Sequence, residues 1–189
     1  LTYARDAAQV SSMHKRLQEL TDYVAGVRAD LTAWVHATPP AALTRIPGDG
    51  QWSGLQTIQH LGKIEGSVTR KLEGMFAEAL AEGLPVDPDD SSVLGALDKY
   101  RVPDRSGRRL EAPPPFHPET APDFDSNWTA LLAVRQRTLA AYATVDGRDL
   151  TRLAFPHPYF GPLNGYEWLL LVGQHELRHF DQMREAAAS

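Results

Sequence analysis

The stretch MHKRLQELTDYVAGVRADLTAWVH, residues 13–36, places apolar side chains at Met13, Leu17, Leu20, Val24, Val27, Leu31 and Trp34, in alternating steps of four and three. Those steps keep all of them on one stripe of an α-helix, a seam suited to coiled-coil-like packing. Pro39 and Pro40 end the helix, because proline cannot continue one. A seam of this kind has to be buried against further helices, and the rest of the chain supplies them.

Working outward, Gln51-Trp52-Ser53-Gly54-Leu55-Gln56 reads as a helix start, with Ser53 as the cap and Gln56 as its third-position partner in a capping box. The second helix runs to about Glu82, where Gly83 and Pro85 stop it. Its buried stripe is expected to hold Leu61, Ile64, Val68, Leu72 and Met75, with Gly62, Gly66 and Gly74 available for close helix packing. A third helix follows Asp125 or Ser126, marked by Trp128, Leu131, Leu132, Leu139 and Tyr142, and ends near Gly147. The last helix is capped by Asn164 with Glu167 three positions on and runs to about Ala187. Phe155 to Pro162 precede it as a proline-fixed loop, and no strand alternation stands out anywhere.

Residues 84–124 differ in character, holding eight of the chain's 14 prolines. So long a connection is either a crossover carrying short structure, such as a helix over Ser91 to Tyr100, or a covering segment. The expected architecture is all-α: a single domain over residues 1–189, a four-helix bundle with a long crossover between helices 2 and 3.

The chain has 189 residues, 42% hydrophobic and 23% charged, a size that buries a core without disulfides or a structural metal. With no cysteine it offers no thiolate nucleophile, redox pair, zinc ribbon or iron–sulfur ligand, so any thiol must come from a ligand. Nineteen Lys and Arg against 24 Asp and Glu leave a net charge of −5, which speaks against nucleic acid as a partner. The longest apolar run, Trp168 to Val172, is too short for a bilayer, and LTYARDAAQ lacks the order of a signal peptide. A cytoplasmic protein with no membrane partner is expected.

Chemistry points to the last helix. Gln174-His175-Glu176-Leu177-Arg178-His179 sets two imidazoles at i and i+4, roughly 5–6 Å apart at Cβ, a spacing that suits one metal ion. Trp168, Val172 and Met183 share their face, so the pair is expected to point into the bundle; hydrogen bonds to core carboxylates or carbonyls would satisfy it equally well. His60 is the candidate third ligand, at the edge of the second helix's apolar stripe. His14 and His36 read as solvated, His117 has no evident partner, and His157 is held by flanking prolines. Arg101, Arg105, Arg108 and Arg109 form a basic stretch that either binds an anion or is simply solvated.

Trp52-Ser53, His60-Leu61 and Glu65, then His157-Pro158-Tyr159-Phe160-Gly161-Pro162-Leu163, then His175-Glu176-Leu177-Arg178-His179 with Gln182, together resemble the DinB-like superfamily over about residues 12–185. The resemblance implies a four-helix bundle binding a divalent metal, zinc or nickel, through His60, His175 and His179, with an open coordination position. Relatives of that superfamily include bacillithiol-dependent S-transferases and mycothiol-dependent maleylpyruvate isomerase. A low-molecular-weight thiol, activated by the metal and attacking a small-molecule electrophile, is therefore implied, with a homodimer as the expected assembly. Two other readings stand beside it. HExxH is also a metallopeptidase pattern with Glu176 as base, although only ten residues follow His179 to supply a further ligand. A non-enzymatic metal-binding or interaction bundle is the other.

Overall fold

The computed structural model describes residues 12–106 and 111–189; the opening residues weighed above as a possible signal, and Arg108 and Arg109, lie outside them. In chain order the elements are α1 (Lys15–Ala37), a short α2 (Pro40–Thr44), α3 (Gly54–Ala81), α4 (Phe124–Ala143), a hairpin of β1 (Ala154–His157) and β2 (Gly161–Asn164), and α5 (Gly165–Ala188). The four long helices form the bundle, α1 packing on α5, and α3 on both α4 and α5.

Both expected capping boxes are present. Gln56 N donates to Ser53 Oγ at 3.1 Å while Ser53 N donates to Gln56 Oε1 at 3.0 Å. Glu167 N donates to Asn164 Oδ1 at 3.0 Å and Asn164 N to Glu167 Oε2 at 2.8 Å. The third long helix starts earlier than the sequence indicates, because Asp123 is the cap, its carboxylate accepting from Ser126 N.

Three local expectations need correction. Ser91 to Tyr100 form turns and a short 3-10 helix (Asp98–Tyr100) instead of an α-helix. Side chains of α1 compete for that backbone: Arg16 Nε donates to Ser91 O at 3.0 Å, and Val93 N donates to Glu19 Oε2 at 3.0 Å. The loop before the last helix is an antiparallel hairpin with Phe155 opposite Leu163 and Pro156 opposite Pro162. Facing prolines fit a ladder only at a non-hydrogen-bonded pair, and strands of four residues are too short to show alternation. Among glycines, Gly62 and Gly74 have open space where a Cβ would be, whereas Gly173 lies so close to Tyr23 that a Cβ would stand 2.7 Å from its ring.

The core divides into two apolar regions. One gathers Leu17, Leu20, Val24, Leu72, Phe76, Tyr142 and Leu169. The other holds Leu31, Val35, Ile58, Leu61, Leu131, Phe180 and Met183. Between them each long helix contributes one charged side chain: Arg28 from α1, Glu65 from α3, Arg135 from α4 and Glu176 from α5, all buried. Arg28 Nε and Nη2 donate to the two oxygens of Glu176 at 2.7 and 2.8 Å. Arg135 Nε donates to Glu65 Oε1 at 2.7 Å and its Nη2 to Glu176 Oε2 at 2.5 Å. The spare donors reach backbone carbonyls, Arg28 to Leu131 O and Arg135 to Val24 O, both at 2.8 Å. Burial works against the Arg135 charge, but Glu65 and Glu176 outweigh it and its pKa rises.

This layer also shifts the stripe of α3. Leu61, Glu65, Thr69, Leu72 and Phe76 are buried, while Ile64, Val68 and Met75 are only half-buried; Leu132 of α4 is exposed because Arg135 and Thr138 take the core positions.

Candidate metal centre and cavity

Polar residues Gln56, Gln59, His60 and Lys63 on α3 grip the crossover by its backbone. Glu119 N donates to Gln59 Oε1 at 2.6 Å, Gln56 Nε2 donates to Glu119 O at 3.1 Å, and Lys63 Nζ donates to His117 O at 2.9 Å. His60 joins them: its Nδ1 lies 2.8 Å from Phe116 O, and since a carbonyl only accepts, Nδ1 carries the proton and Nε2 a free lone pair. The sequence placed His60 at the stripe's edge; with the crossover docked over it, only 2% of it is exposed.

His175 and His179 lie one turn apart on α5, half-buried, and meet His60 across the α3–α5 contact. Ring centroids are 5.4 Å (His60–His175), 4.9 Å (His60–His179) and 4.4 Å (His175–His179) apart. One ligand nitrogen from each of the three lies within 4.8 Å of the other two. His179 Nδ1 is 2.8 Å from Gln182 Oε1, so it too donates outward and turns its Nε2 lone pair inward. Nε2 of His175 and Nε2 of His179 stand 3.1 Å apart.

The donor set fits a metal ion. Nitrogens held tetrahedrally at about 2.1 Å from one ion are about 3.4 Å apart, close to the spacing of the α5 pair. Burial is the main cause that lowers all three pKa values, and it brings His179 down to about 3 and His175 well below its ordinary value. Neutral imidazoles whose ring nitrogens converge are ligands ready for a cation.

The trio opens onto a cavity of about 1590 Å³ bounded by α3, α5, the hairpin and the crossover. Ile64 and Val68 line it, which is why they are half-buried. Trp52 lines it too, its ring 4.8 Å from that of His60.

The remaining candidates separate from the trio. Glu176 cannot serve as the base of an HExxH site, because Arg28 and Arg135 take up its carboxylate in the buried layer. Arg105 pairs with Glu185 at 2.6 Å and Arg101 with Asp104 at 2.5 Å. His36 is exposed as expected, but His14 is half-buried at the start of α1, with Nδ1 lacking a hydrogen-bond partner among the described residues. His117 Nε2 lies 2.7 Å from Ala112 O, within the crossover. His157 lines the cavity from the hairpin. Sequence reasoning missed Arg28, Arg135 and the Phe116 carbonyl. A mid-stripe arginine at a heptad-like position was a usable signal for the first two; a backbone carbonyl leaves none.

Comparison with known proteins agrees with the helical-bundle fold. The family model of the DinB superfamily matches residues 23–183. The uncharacterized protein YuaE of Bacillus subtilis (strain 168) is 30% identical over 146 residues, covering 76% of this chain and 82% of that protein. A protein of Frankia casuarinae named tRNA pseudouridine synthase A is 29% identical over 179 residues, 90% of this chain, and the match spans 62% of its length. The crystal structure of TT2238, a four-helix bundle protein, superposes with a TM-score of 0.60 at 20% identity, over 89% of this chain and 98% of that one. That likeness bears on the fold alone.

Proposed function

The chain belongs to the DinB superfamily, and on that premise we propose that it is a divalent-metal-dependent enzyme that transfers a low-molecular-weight thiol to a small electrophile. The observation that carries the reading is the convergence of His60, His175 and His179 at a large, partly apolar cavity. Three neutral imidazoles suit zinc or nickel and leave room for an exogenous ligand. A metal bound there supplies Lewis acidity, which favours the ionised form of a thiol or water at neutral pH.

The chain's own residues do the rest. Phe116 O and Gln182 Oε1 fix which nitrogen of His60 and of His179 faces inward. Ile64, Val68 and Trp52 give the cavity a surface from which water is readily displaced by an apolar electrophile. The chain has no cysteine, so the thiol is a substrate and no side chain competes with it.

Metal analysis of the purified protein tests the first half: one zinc or nickel per chain is expected in the native protein and none in the His175→Ala/His179→Ala double variant. Native protein that takes up neither metal at neutral pH refutes the reading. A screen of small thiols against a generic electrophile tests the second half, with chelation expected to abolish conjugation and His60→Ala to reduce it strongly.

A further inference from the structure

Beyond the histidine trio, the hairpin builds a second ordered wall in the same cavity. His157 ends β1 half-buried, its ring stacked on Phe160 (4.4 Å, 9° between planes) and tilted against Trp168 at 5.5 Å. Phe155 lies parallel to Trp168 at 4.1 Å, and Tyr100 stacks on Phe160 at 4.6 Å. The wall is held from both sides. Tyr100 Oη donates to Phe160 O at 2.7 Å, Tyr159 Oη donates to Glu111 O at 2.7 Å, and Pro156 and Pro158 restrict the backbone around His157.

The protonation pattern of His157 follows from one contact. Its Nδ1 accepts the backbone N–H of Tyr159 at 3.2 Å, so in the neutral ring the proton sits on Nε2. Burial favours that neutral ring by lowering the pKa. Among the described residues nothing accepts from Nε2, so the wall presents an apolar aromatic surface with a single directed N–H. A cation stands beside it: Lys71 Nζ lies over the Phe155 ring at 5.7 Å and makes no ion pair among the described residues. Trp168 precedes His175 by seven residues, so wall and trio lie about 10 Å apart along α5.

We propose that this wall is a binding subsite for a planar aromatic or conjugated group bearing a carbonyl oxygen, which accepts a hydrogen bond from His157 Nε2. An aromatic surface selects a flat apolar partner, and a lone donor beside a cation selects an acceptor oxygen. The subsite goes beyond the thiol-transfer reading and does not depend on it, because no part of the wall belongs to the histidine trio.

The test uses the full chain and two probes of nearly equal shape: acetophenone, which carries the carbonyl, and α-methylstyrene, in which a methylene replaces the oxygen. Their binding is followed by ligand-observed NMR titration to the wild type, to His157→Phe, which keeps a stacked ring without the donor, and to His157→Gln, whose amide can donate again. Acetophenone should bind about five- to tenfold more weakly to His157→Phe and recover in His157→Gln, while α-methylstyrene binds all three alike. Unchanged acetophenone affinity in His157→Phe, equal loss of both probes, or no binding of either to the wild type overturns the assignment. Because neither metal nor thiol is required, a failure of thiol transfer leaves this result standing, and the converse holds too.

Discussion

Replacing Arg135 by methionine isolates the energetics of the charged layer. Arg135 is 5% exposed and makes four hydrogen bonds in it: to Glu65 at 2.7 and 3.2 Å, to Glu176 at 2.5 Å and to Val24 O at 2.8 Å. Its loss leaves two buried carboxylates sharing Arg28, an excess negative charge where water cannot reach it. Breaking a buried pair from one side costs about 3–5 kcal/mol. For a chain of this size each kcal/mol moves the melting temperature by about 2–4 °C, so thermal unfolding followed by circular dichroism should shift down by about 6–20 °C. Removing Glu65 as well, in Arg135→Met/Glu65→Leu, leaves the forked Arg28–Glu176 pair intact at 2.7 and 2.8 Å and restores neutrality. The double variant should therefore be more stable than Arg135→Met alone, a non-additivity expected of one network. Arg137→Met removes only the exposed pair with Glu73 and should leave the melting temperature unchanged. A loss below about 1 kcal/mol in Arg135→Met, or a double variant less stable than the single one, would refute the reasoning.

Three further outcomes follow from the packing. Gly173→Ala should cost about 1–3 kcal/mol in urea unfolding, since the new Cβ would meet the Tyr23 ring at 2.7 Å and Val24 Cγ1 at 3.0 Å; Gly74→Ala, with open space around it, should not destabilise. Gln59→Ala removes the acceptor of Glu119 N, so hydrogen exchange at that amide should accelerate about tenfold while global unfolding stays nearly unchanged. Burial, then the neighbouring Asp87, raises the Tyr166 pKa above its ordinary 10.0. The folded value exceeds the unfolded one, so this contribution is complete below pH 10 and is lost as pH rises further. Stability should therefore fall more steeply above pH 10 in the wild type than in Tyr166→Phe; equal slopes would contradict it.

Helix number, the capping boxes and the long crossover were legible because each rests on local chemistry: stripe spacing, Ser53 with Gln56, Asn164 with Glu167, and the prolines of residues 84–124. The α5 pair His175 and His179 was legible for the same reason, a fixed i, i+4 spacing. His60 could be named as a partner from its position and from the family resemblance, but its burial and tautomer depend on Phe116, 56 residues further along the chain. The hairpin was missed because four-residue strands carry too little periodicity, and Ile64 and Val68 read as core because apolar character alone does not distinguish a core wall from a cavity wall.

By itself, then, the sequence determined that this chain makes four amphipathic helices, that it brings no thiol of its own and that two imidazoles share one helical face. All three are properties of composition or of neighbours within a turn. Only the tertiary structure decided that a third imidazole completes the cluster, that Glu176 belongs to a neutralised layer with Arg28, Glu65 and Arg135, and that His157 and Trp168 stand together on one cavity wall. Each of these joins residues that are distant in the chain, and their energies come from burial and from the pairing of charges, which exist only once the helices have packed.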